Sequence, residues 1–360
     1  MANYYWVGGT GNLDGSSPTH WSLTDGGTGG AGNPQISDSM FFTSLSGGGV
    51  ITIAAAIGYN NFNTTGFTGT FAGSTQYAFT SSGTGALILT PNMFPSGVVN
   101  LTFSSGASTT ITSAGNVFYN IYANSGIGSI GLLDDTSTVN SFTLLGNFNF
   151  TTNGHNISCA SISIGTGTSS RTVNLSNSII NVKPVSSGTQ VSLLSPTGLT
   201  YNTTNTIVNA YQTASASYGV SIAPVPAASI SLNFITSSGY TGGILLGSFS
   251  TTFLNATCVN TVSNITFTFP TGYAWTITNN FNFIGTASYT ITLKALSTTN
   301  ISFVSAAGTI NCNYCAINYI TASGGTTWHG GLNSTNISSL GWVWNTLTGT
   351  STRRKVFFGI

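Results

Sequence analysis

The stretch Val262–Gly325, which begins VSNITFTFPTGYAWTITNNFNF and ends INCNYCAINYITASGG, decides the fold class of this chain. Apolar side chains alternate here with small polar ones, and this period of two is typical of half-buried β-strands. The alternating apolar residues are Ile265, Phe267, Phe269, Trp275, Ile277, Phe281, Phe283, Tyr289, Ile291, Leu293, Ile301, Phe303, Ile310 and Cys312. The strands are separated by Gly, Asn, Ser, Thr or Pro, because these residues allow the backbone to reverse its direction. Helical periodicity is absent.

The spacing of these strands favours a repetitive all-β architecture. Strand centres recur about every ten residues, so a coil of three strands would take roughly 20 to 30 residues. A chain of 360 residues has room for about ten such coils. We therefore expect an all-β fold, a right-handed parallel β-helix. No consensus repeat is visible, and stacked β-sandwich modules are the alternative.

Composition shifts along the chain suggest three regions. Residues 1–45 are rich in Gly and Trp and are expected to cap the first coil, because an open solenoid would otherwise expose a sheet edge. Residues 46–325 carry the solenoid pattern, and residues 326–360 form a Trp-rich C-terminal β-rich segment with a basic tail. Within the solenoid, residues 183–228 are richer in Ser, Pro and Tyr. Since proline is excluded from central strands, we expect a lateral loop, an irregular coil or a junction there.

The chain carries almost no charge. Charged residues make up 3% of it, Glu is absent, and the net charge is +1. Six Lys and Arg residues cannot neutralise a row of phosphates, so nucleic-acid binding is not expected. Hydroxyls and amides must keep the surface hydrated, and such a near-neutral surface tolerates close packing in an assembly. No apolar run is long enough to span a membrane, and the start lacks the features of a secretory signal.

Few residues could support catalysis. A glycosidase or lyase would need carboxylates paired across a groove, at about 5 to 9.5 Å. Asp134 and Asp135 are adjacent, so on a strand they would point to opposite faces. The three histidines are scattered, and no Gly-x-Ser-x-Gly motif is present. The complete set of candidate groups is Asp14, Asp25, Asp38, Asp134, Asp135, His20, His155 and His329. We expect no enzymatic activity, no catalytic residue and no cofactor.

The four cysteines do not predict a metal site. Cys312 and Cys315 have the spacing of half a zinc site, but the sequence contains no second pair. On a strand, residues three apart face opposite sides. We expect these cysteines, with Cys159 and Cys258, to be small buried hydrophobic residues.

Large aromatic and basic residues concentrate at the two ends of the chain. Trp and Arg are the residue types that dominate interface energies. The predicted assembly-contact residues are Trp6, Trp21, Trp328, Trp342, Trp344, Arg353, Arg354 and Lys355. Two alternatives remain open for Trp6 and Trp21, a seal over the first coil or a platform that stacks on carbohydrate. For the basic triplet, the alternatives are a hook that docks on a neighbouring chain and a solvated tail.

Both ends also resemble those of a group of bacteriophage and prophage structural proteins. At the start, the resemblance lies in Tyr5–Asn12 (YWVGGTGN), in His20-Trp21-Ser22 and in the following glycine cluster. At the end, the matching residues are Ala322-Ser323-Gly324-Gly325, Trp328, Asn333-Ser334, Gly341-Trp342 and the short basic tail. The resemblance covers roughly residues 1–45 and 311–360. Leu13 stands where such proteins usually carry Trp, and His329 where Tyr is expected, which affects the terminal aromatic contacts.

The resemblance implies a virion structural protein of β-helical form, either a tail fibre or appendage or a head-surface fibre. Such a protein would act by assembly and host adhesion, and would be made in the host cytoplasm without a signal peptide. The implied partners are further copies of the chain, as a homotrimer by analogy with phage fibres, other virion proteins, and host-surface glycans. The alternatives are a bacterial surface adhesin or self-assembling extracellular filament, a polysaccharide depolymerase and an ice-binding solenoid.

Overall fold

The computed structural model describes most of the chain, namely residues 1–73, 75, 77–81, 83–95, 98–103, 106, 108–123, 127–165, 170–185, 188–194, 198–212, 218–222, 230–238, 240, 243–248, 250–305 and 307–344. The protein is all-β, with 54% strand and 2% helix, and its parallel coils stack into a β-solenoid of about 10 turns. The prediction of a parallel β-helix is thereby confirmed, in place of stacked β-sandwich modules. Among the described strands, one pair is antiparallel, Asn3–Trp6 with Trp21–Ser22.

Three long sheets form the sides of the solenoid, and we call them face 1, face 2 and face 3. Face 1 has ten strands, which are Trp21–Ser22, Asn3–Trp6, Ser39–Phe41, Phe62–Asn63, Ala86–Ile88, Ser108–Thr112, Ile127–Leu132, Asn147–Thr151, Arg171–Asn174 and Leu199–Asn202. Face 2 has 13 strands, which are Ile57–Tyr59, Ala78–Ser81, Asn100–Phe103, Asn120–Ala123, Ser141–Leu144, Ser161–Ile164, Gly188–Leu193, Tyr218–Ile222, Gly243–Leu246, Ile265–Phe269, Ile291–Ala295, Cys315–Asn318 and Thr335–Ile337.

Face 3 also has 13 strands. They are Val117–Phe118, Thr136–Thr138, Ile157–Cys159, Ile179–Val182, Thr206–Gln212, Ile230–Thr236, Thr251–Val259, Ala274–Ile284, Ile310–Asn313, Trp328–His329 and Trp342–Val343, with Ile301–Ser305 and Ile320–Gly324 as a branch. The first coils have a separate three-stranded sheet, whose strands follow those of face 1 in the sequence as the strands of face 3 do in later coils. Its strands are Gly11–Leu13, Val50–Ile53 and Thr70–Ala72. The described helices are single 3-10 turns at Pro18–His20 and Ser44–Ser46. No helix in the described part of the chain is long and apolar enough to cross a membrane.

Between Asn100 and Gln212 a coil passes face 2, then face 1, then face 3, whereas the described strands after Gln212 belong to faces 2 and 3 alone. The length of a coil varies from level to level. Along face 2, paired residues lie 19 positions apart at Ala316 and Thr335, but 29 apart at Ile162 and Val191. Within each of these two strand pairs the offset is constant, so the extra residues lie between the strands of face 2. Variable corners explain why the sequence shows no consensus repeat although the ladders are regular.

The core is a set of stacked columns of inward-facing side chains. On face 2, Ile121 pairs with Phe142, which pairs with Ile162, and Ile162 pairs with Val191. All four are fully buried. Burying each such side chain stabilises the fold by about 1.5 to 3 kcal/mol. Because consecutive strand residues point to opposite sides, the residues between them form the polar outer surface.

The corner between face 1 and face 3 repeatedly uses an asparagine in the left-handed conformation. Asn153, Asn177 and Asn205 have φ of 51°, 58° and 55°. Asparagine tolerates this region better than most residues, because its short polar side chain can hydrogen-bond locally. Two successive corners are linked directly, since the Asn205 Nδ2 donates to the Asn177 Oδ1 at 3.0 Å.

The cross-section changes beyond Asn202, where face 1 ends. From there the strands of face 3 lengthen, and Thr251–Val259 and Ala274–Ile284 have nine and 11 residues. A bulge between Phe253 and Asn255 lets one long strand turn the corner, since bulges bend a strand and increase its twist.

The Pro-containing region 183–228 contributes strands to all three faces. They are Gly188–Leu193, Leu199–Asn202, Thr206–Gln212 and Tyr218–Ile222. Of its prolines, Pro184 is described, whereas Pro196, Pro224 and Pro226 lie outside the described residues.

Candidate binding groove on face 1

The N-terminal tryptophans, Trp6 and Trp21, are buried in the hydrophobic core. The indole of Trp6 is fully buried, stacks on His20 at 4.5 Å and meets Trp21 edge-on at 5.2 Å. Its Nε1 donates to the Gly9 carbonyl at 2.8 Å, and His20 Nδ1 lies 2.9 Å from the Val7 carbonyl. The rings of Trp6 and Trp21 therefore cover the first coil and are not offered to solvent as a platform for carbohydrate stacking.

The C-terminal tryptophans are arranged in a similar way. Trp328 is buried and meets Trp342 edge-on at 5.2 Å. Its Nε1 donates to the Ser323 carbonyl at 2.9 Å, and the Trp342 Nε1 donates to the Ile320 carbonyl at 3.1 Å. Trp344 is half-buried. The triplet Arg353, Arg354 and Lys355 lies outside the described residues, so the role of these residues and of the tryptophans as assembly contacts stays a prediction.

Each of the five aspartates accepts hydrogen bonds that serve the fold. The carboxylate of Asp134 accepts from the Ser113 N–H at 2.8 Å, and that of Asp135 accepts from the Asn156 N–H at 2.8 Å. The Asn156 N–H holds the pKa of Asp135 below its usual value, against the effect of burial, and His155 adds a smaller contribution. Asp25 accepts from the Thr43 hydroxyl at 2.6 Å. These carboxylates link neighbouring coils and corners.

The four cysteines are free thiols and are all buried. Burial raises the pKa of the Cys159 thiol to about 12, and burial together with neighbouring Cys315 raises the pKa of Cys312. Protonated buried thiols are poor nucleophiles and poor metal ligands. Among the described residues, no group of three or more His, Cys, Asp or Glu side chains could hold a metal ion.

The outer surface of face 1 contains a groove with a volume of about 530 Å³. Its centre is a column of paired residues, in which Ala86, Thr110, Gly131, Thr151 and Asn174 follow one another on successive levels. Ser108, Ser129 and Asn149 form a parallel column beside it. The described residues that line it are Asn61, Thr84, Gly85, Ala86, Ser108, Thr109, Thr110, Ser129, Ile130, Gly131, Asn149, Phe150, Thr151, Asn153, Thr172 and Asn174.

The groove exists because Gly131 leaves a gap in the central column. A Cβ atom at this position would lie 3.5 Å from the Thr151 Cγ2 and 3.8 Å from the Thr110 Cγ2, which are ordinary van der Waals distances. Two threonine methyl groups thus flank an empty position. From the level of Asn61 to that of Asn174 there are six levels, and at about 4.8 Å per level the groove is roughly 24 Å long.

The amides around the groove are held in fixed orientations. The Asn149 Oδ1 accepts from the Thr172 N–H at 2.8 Å, and the Asn174 Oδ1 accepts from the Ser176 hydroxyl at 2.7 Å. The Asn153 Nδ2 donates to the Leu132 carbonyl at 2.8 Å. Since the oxygen atoms of Asn149 and Asn174 are engaged, their amide nitrogens are oriented in advance as donors.

None of the described residues that line this groove is charged. Arg171 lies next to Thr172 in the chain, but its side chain is buried and donates to the Gly146 carbonyl. Burial lowers the pKa of this guanidinium. A ligand in the groove would therefore meet hydroxyls, amides and carbon surface.

A second depression, on face 3, has a volume of about 470 Å³. Asparagines dominate its lining, and several form ladders from coil to coil. The Asn311 Nδ2 donates to the Asn282 Oδ1 at 3.3 Å within the lining, and the Asn233 Nδ2 donates to the Asn209 Oδ1 of the neighbouring coil at 3.0 Å. A similar ladder runs along face 2 through Asn100 and Asn120. Because these amides satisfy one another, they are better suited to hold the coils together than to bind a ligand.

Sequence reasoning did not identify the groove. Thr110 stands in the short threonine cluster Thr109-Thr110-Ile111-Thr112, which has no regular repeat along the chain, and Gly131 carries no local motif. The two positions become neighbours only through strand pairing, which the sequence does not reveal.

Comparisons of the chain with known protein families, with curated proteins and with solved structures give no match.

Proposed function

We propose that the chain is a structural protein of a bacteriophage or prophage particle, a tail fibre, an appendage or a head-surface fibre. It acts by assembly and surface contact, and it is made in the host cytoplasm. The observation that supports this proposal best is a long stack of parallel coils with nearly charge-free faces, whose two ends carry the resemblance to phage structural proteins. A stack in which every coil is hydrogen-bonded to the next suits a part that must keep its shape.

Catalysis has little support among the described residues. All five aspartates are described, and each accepts hydrogen bonds from a backbone N–H or a hydroxyl. A depolymerase would need two carboxylates free to act on one glycosidic bond. A role through contact surfaces fits this arrangement better.

The particle experiment uses the phage or prophage that carries the gene. Purified particles are compared by quantitative mass spectrometry with particles from a strain in which the gene has a stop codon. We expect the protein at a fixed copy number per particle in the first sample. A protein found only in the cell-envelope fraction would overturn the proposal in favour of a bacterial surface adhesin or filament.

We also propose that the chain is a homotrimer in solution, by analogy with phage fibres. The low charge leaves little electrostatic repulsion between copies. Multi-angle light scattering is expected to give about three times the chain mass of 37.0 kDa. A stable monomer over a wide concentration range would contradict this part of the proposal.

A further inference from the structure

We propose that the groove on face 1 is a binding site for a neutral glycan. This inference rests on the surface-contact role proposed above and names the class of ligand that one surface would contact.

Charge excludes the ionic polymers. The part of the lining that the structure describes contains no Lys, Arg, Asp, Glu or His, and the nearby Arg171 is turned inward. A nucleic acid needs several cations to replace its counterions, and an acidic polysaccharide would leave its carboxylates without partners. A neutral ligand needs no charged partner in the groove.

Backbone pairing disfavours an extended peptide. The strands that form the groove, Ala86–Ile88, Ser108–Thr112, Ile127–Leu132, Asn147–Thr151 and Arg171–Asn174, are paired on both sides. Their backbone groups already hydrogen-bond to neighbouring coils, so a peptide could not add as a further strand. Recognition must use side-chain hydroxyls and amides, which can both donate to and accept from the hydroxyl groups of a sugar.

The groove also has apolar groups that can contact the C–H faces of a sugar ring. The outward-facing Ala86 contributes its methyl group, and the methyl groups of Thr110 and Thr151 flank the gap at Gly131. Ile130 and Phe150 belong to the core, so their side chains are not part of this surface. A sugar ring has C–H faces as well as hydroxyl groups, and this lining offers partners for both. The open position at Gly131 would admit one ring edge.

Shape favours a polymer over a single sugar. The groove runs across six levels, roughly 24 Å, so several sugar units would lie in it. Its central column has threonine at two of five positions, Thr110 and Thr151. This arrangement is too irregular for the flat threonine array that an ice-binding solenoid needs.

The test fills the gap without straining the backbone. In Gly131→Leu, the new Cβ meets its neighbours at ordinary contact distances, and the rest of the side chain occupies the groove. Ser163→Leu is the matched control, because it places the same side chain on the outer surface of face 2. The purified full chain and both variants are applied to an array of neutral and acidic oligosaccharides, and hits are titrated by calorimetry.

We expect the unmodified chain to bind at least one neutral oligosaccharide with a Kd below about 1 mM. Gly131→Leu should weaken binding at least about tenfold, while Ser163→Leu should leave it unchanged. Circular dichroism and the Tm confirm that each variant is folded. If Gly131→Leu does not fold, Thr110→Val replaces it, since this nearly isosteric change removes one hydroxyl, and weaker binding is again expected.

Three results would overturn the inference. They are no binding to any neutral glycan, binding to acidic glycans alone, and equal binding by Gly131→Leu and the unmodified chain. Because this assay uses the isolated chain, its failure is distinguishable from absence of the protein from particles.

Discussion

The Trp6 indole illustrates how one residue closes the N-terminal end of the solenoid. It packs between His20, Trp21 and Phe42, and its N–H is satisfied by the Gly9 carbonyl. Aromatic pairs at these separations add stabilisation beyond the area that they bury. The end of the core is thereby kept from water by side chains of the cap itself.

We predict that Trp6→Ala destabilises the N-terminal coils by about 3 to 5 kcal/mol, because it removes a fully buried indole and leaves a cavity. Hydrogen exchange of the amides in Asn3–Trp6 and Ser39–Phe41 measures this local effect. Trp344→Ala is the control, since its side chain is half-buried and its loss should have a smaller effect. Unchanged exchange in Trp6→Ala would show that the cap does not depend on this ring.

Asp38 ties the cap to the first coil and makes stability depend on pH. Its carboxylate accepts from the N–H groups of Ala2 and Gln35 at 2.7 and 3.0 Å. Burial alone would raise the pKa of Asp38, but the two hydrogen bonds and the nearby N-terminal ammonium group together outweigh it, so the pKa lies below the usual 3.8. The pKa values of Asp14 and Asp135 are lowered as well. A depressed pKa means that the unfolded chain takes up protons first as the pH falls.

We predict that the Tm is nearly constant down to about pH 5 and decreases below about pH 4. The stabilisation by these carboxylates is fully present above the unfolded-state pKa and is lost as the pH falls through the folded-state pKa. In Asp38→Asn the Tm should be lower at pH 7, and the acid-induced decrease should be smaller. Differential scanning calorimetry across this pH range provides the measurement. An identical acid-induced decrease in both proteins would contradict this role of Asp38.

At the scale of one element, the asparagine ladder on face 2 fastens successive coils. The Asn120 Nδ2 donates to the Asn100 Oδ1 at 2.8 Å, and the Asn140 Nδ2 donates to the Asn120 Oδ1 at 3.0 Å. The same oxygen accepts from the N–H and the hydroxyl of Ser141. Asn120 thus connects three levels.

We predict that Asn120→Ala lowers the free energy of unfolding by about 1 to 3 kcal/mol, because the groups that bonded Asn120 lose their partner. Thr143→Ala is the matched control, since Thr143 lies on the outer surface of the next strand along face 2. Urea denaturation monitored by tryptophan fluorescence gives both values. Equal, small losses in the two variants would mean that the ladder adds nothing to stability.

The strands of this solenoid were predictable, but their pairing was not. Alternation identified most inward side chains, and Phe267, Phe283 and Leu293 are buried as expected. Tyr289 is an exception, because it is exposed and lies between two strands. One signal was available but unused. Asn100, Asn120 and Asn140 are spaced 20 residues apart in the sequence, and they are the ladder residues of three successive coils.

The pairing between strands could not be predicted from the sequence because the coils differ in length. Offsets between paired residues differ by up to 11 along face 2, so no fixed period places Gly131 between Thr110 and Thr151. The end of face 1 at Asn202 and the bulge near Phe253 depend on packing between coils. Local sequence patterns indicate whether a side chain points inward or outward. Which residues pair across adjacent strands depends instead on the number of residues in the segments that connect those strands.

For the whole molecule, the tail is the segment whose role most needs an experiment. Residues 351–360 contain the triplet Arg353, Arg354 and Lys355, followed by Val356-Phe357-Phe358. An apolar sequence beside a cluster of charge is suited to contact another protein surface. We predict that a chain lacking residues 351–360 folds normally but is left out of particles.

Circular dichroism and the Tm monitor the fold of the truncated chain, and mass spectrometry of purified particles monitors its incorporation. A variant with Ser in place of Arg353, Arg354 and Lys355 serves as the comparison, because it keeps the length and the apolar residues. Normal copy number in the truncated form would refute a docking role for the tail.

The parallel ladders have a consequence for resistance to proteases. Neighbouring coils are joined by one covalent crossing of the chain, but by rows of hydrogen bonds on two or three faces. A cut at the exposed corner of Asn153 and Gly154 would break the crossing and leave Asn147–Thr151 and Ile157–Cys159 paired with the coils on both sides. Both fragments would stay in place, separating only in denaturant, so that nicked and intact molecules would have the same shape and the same surface.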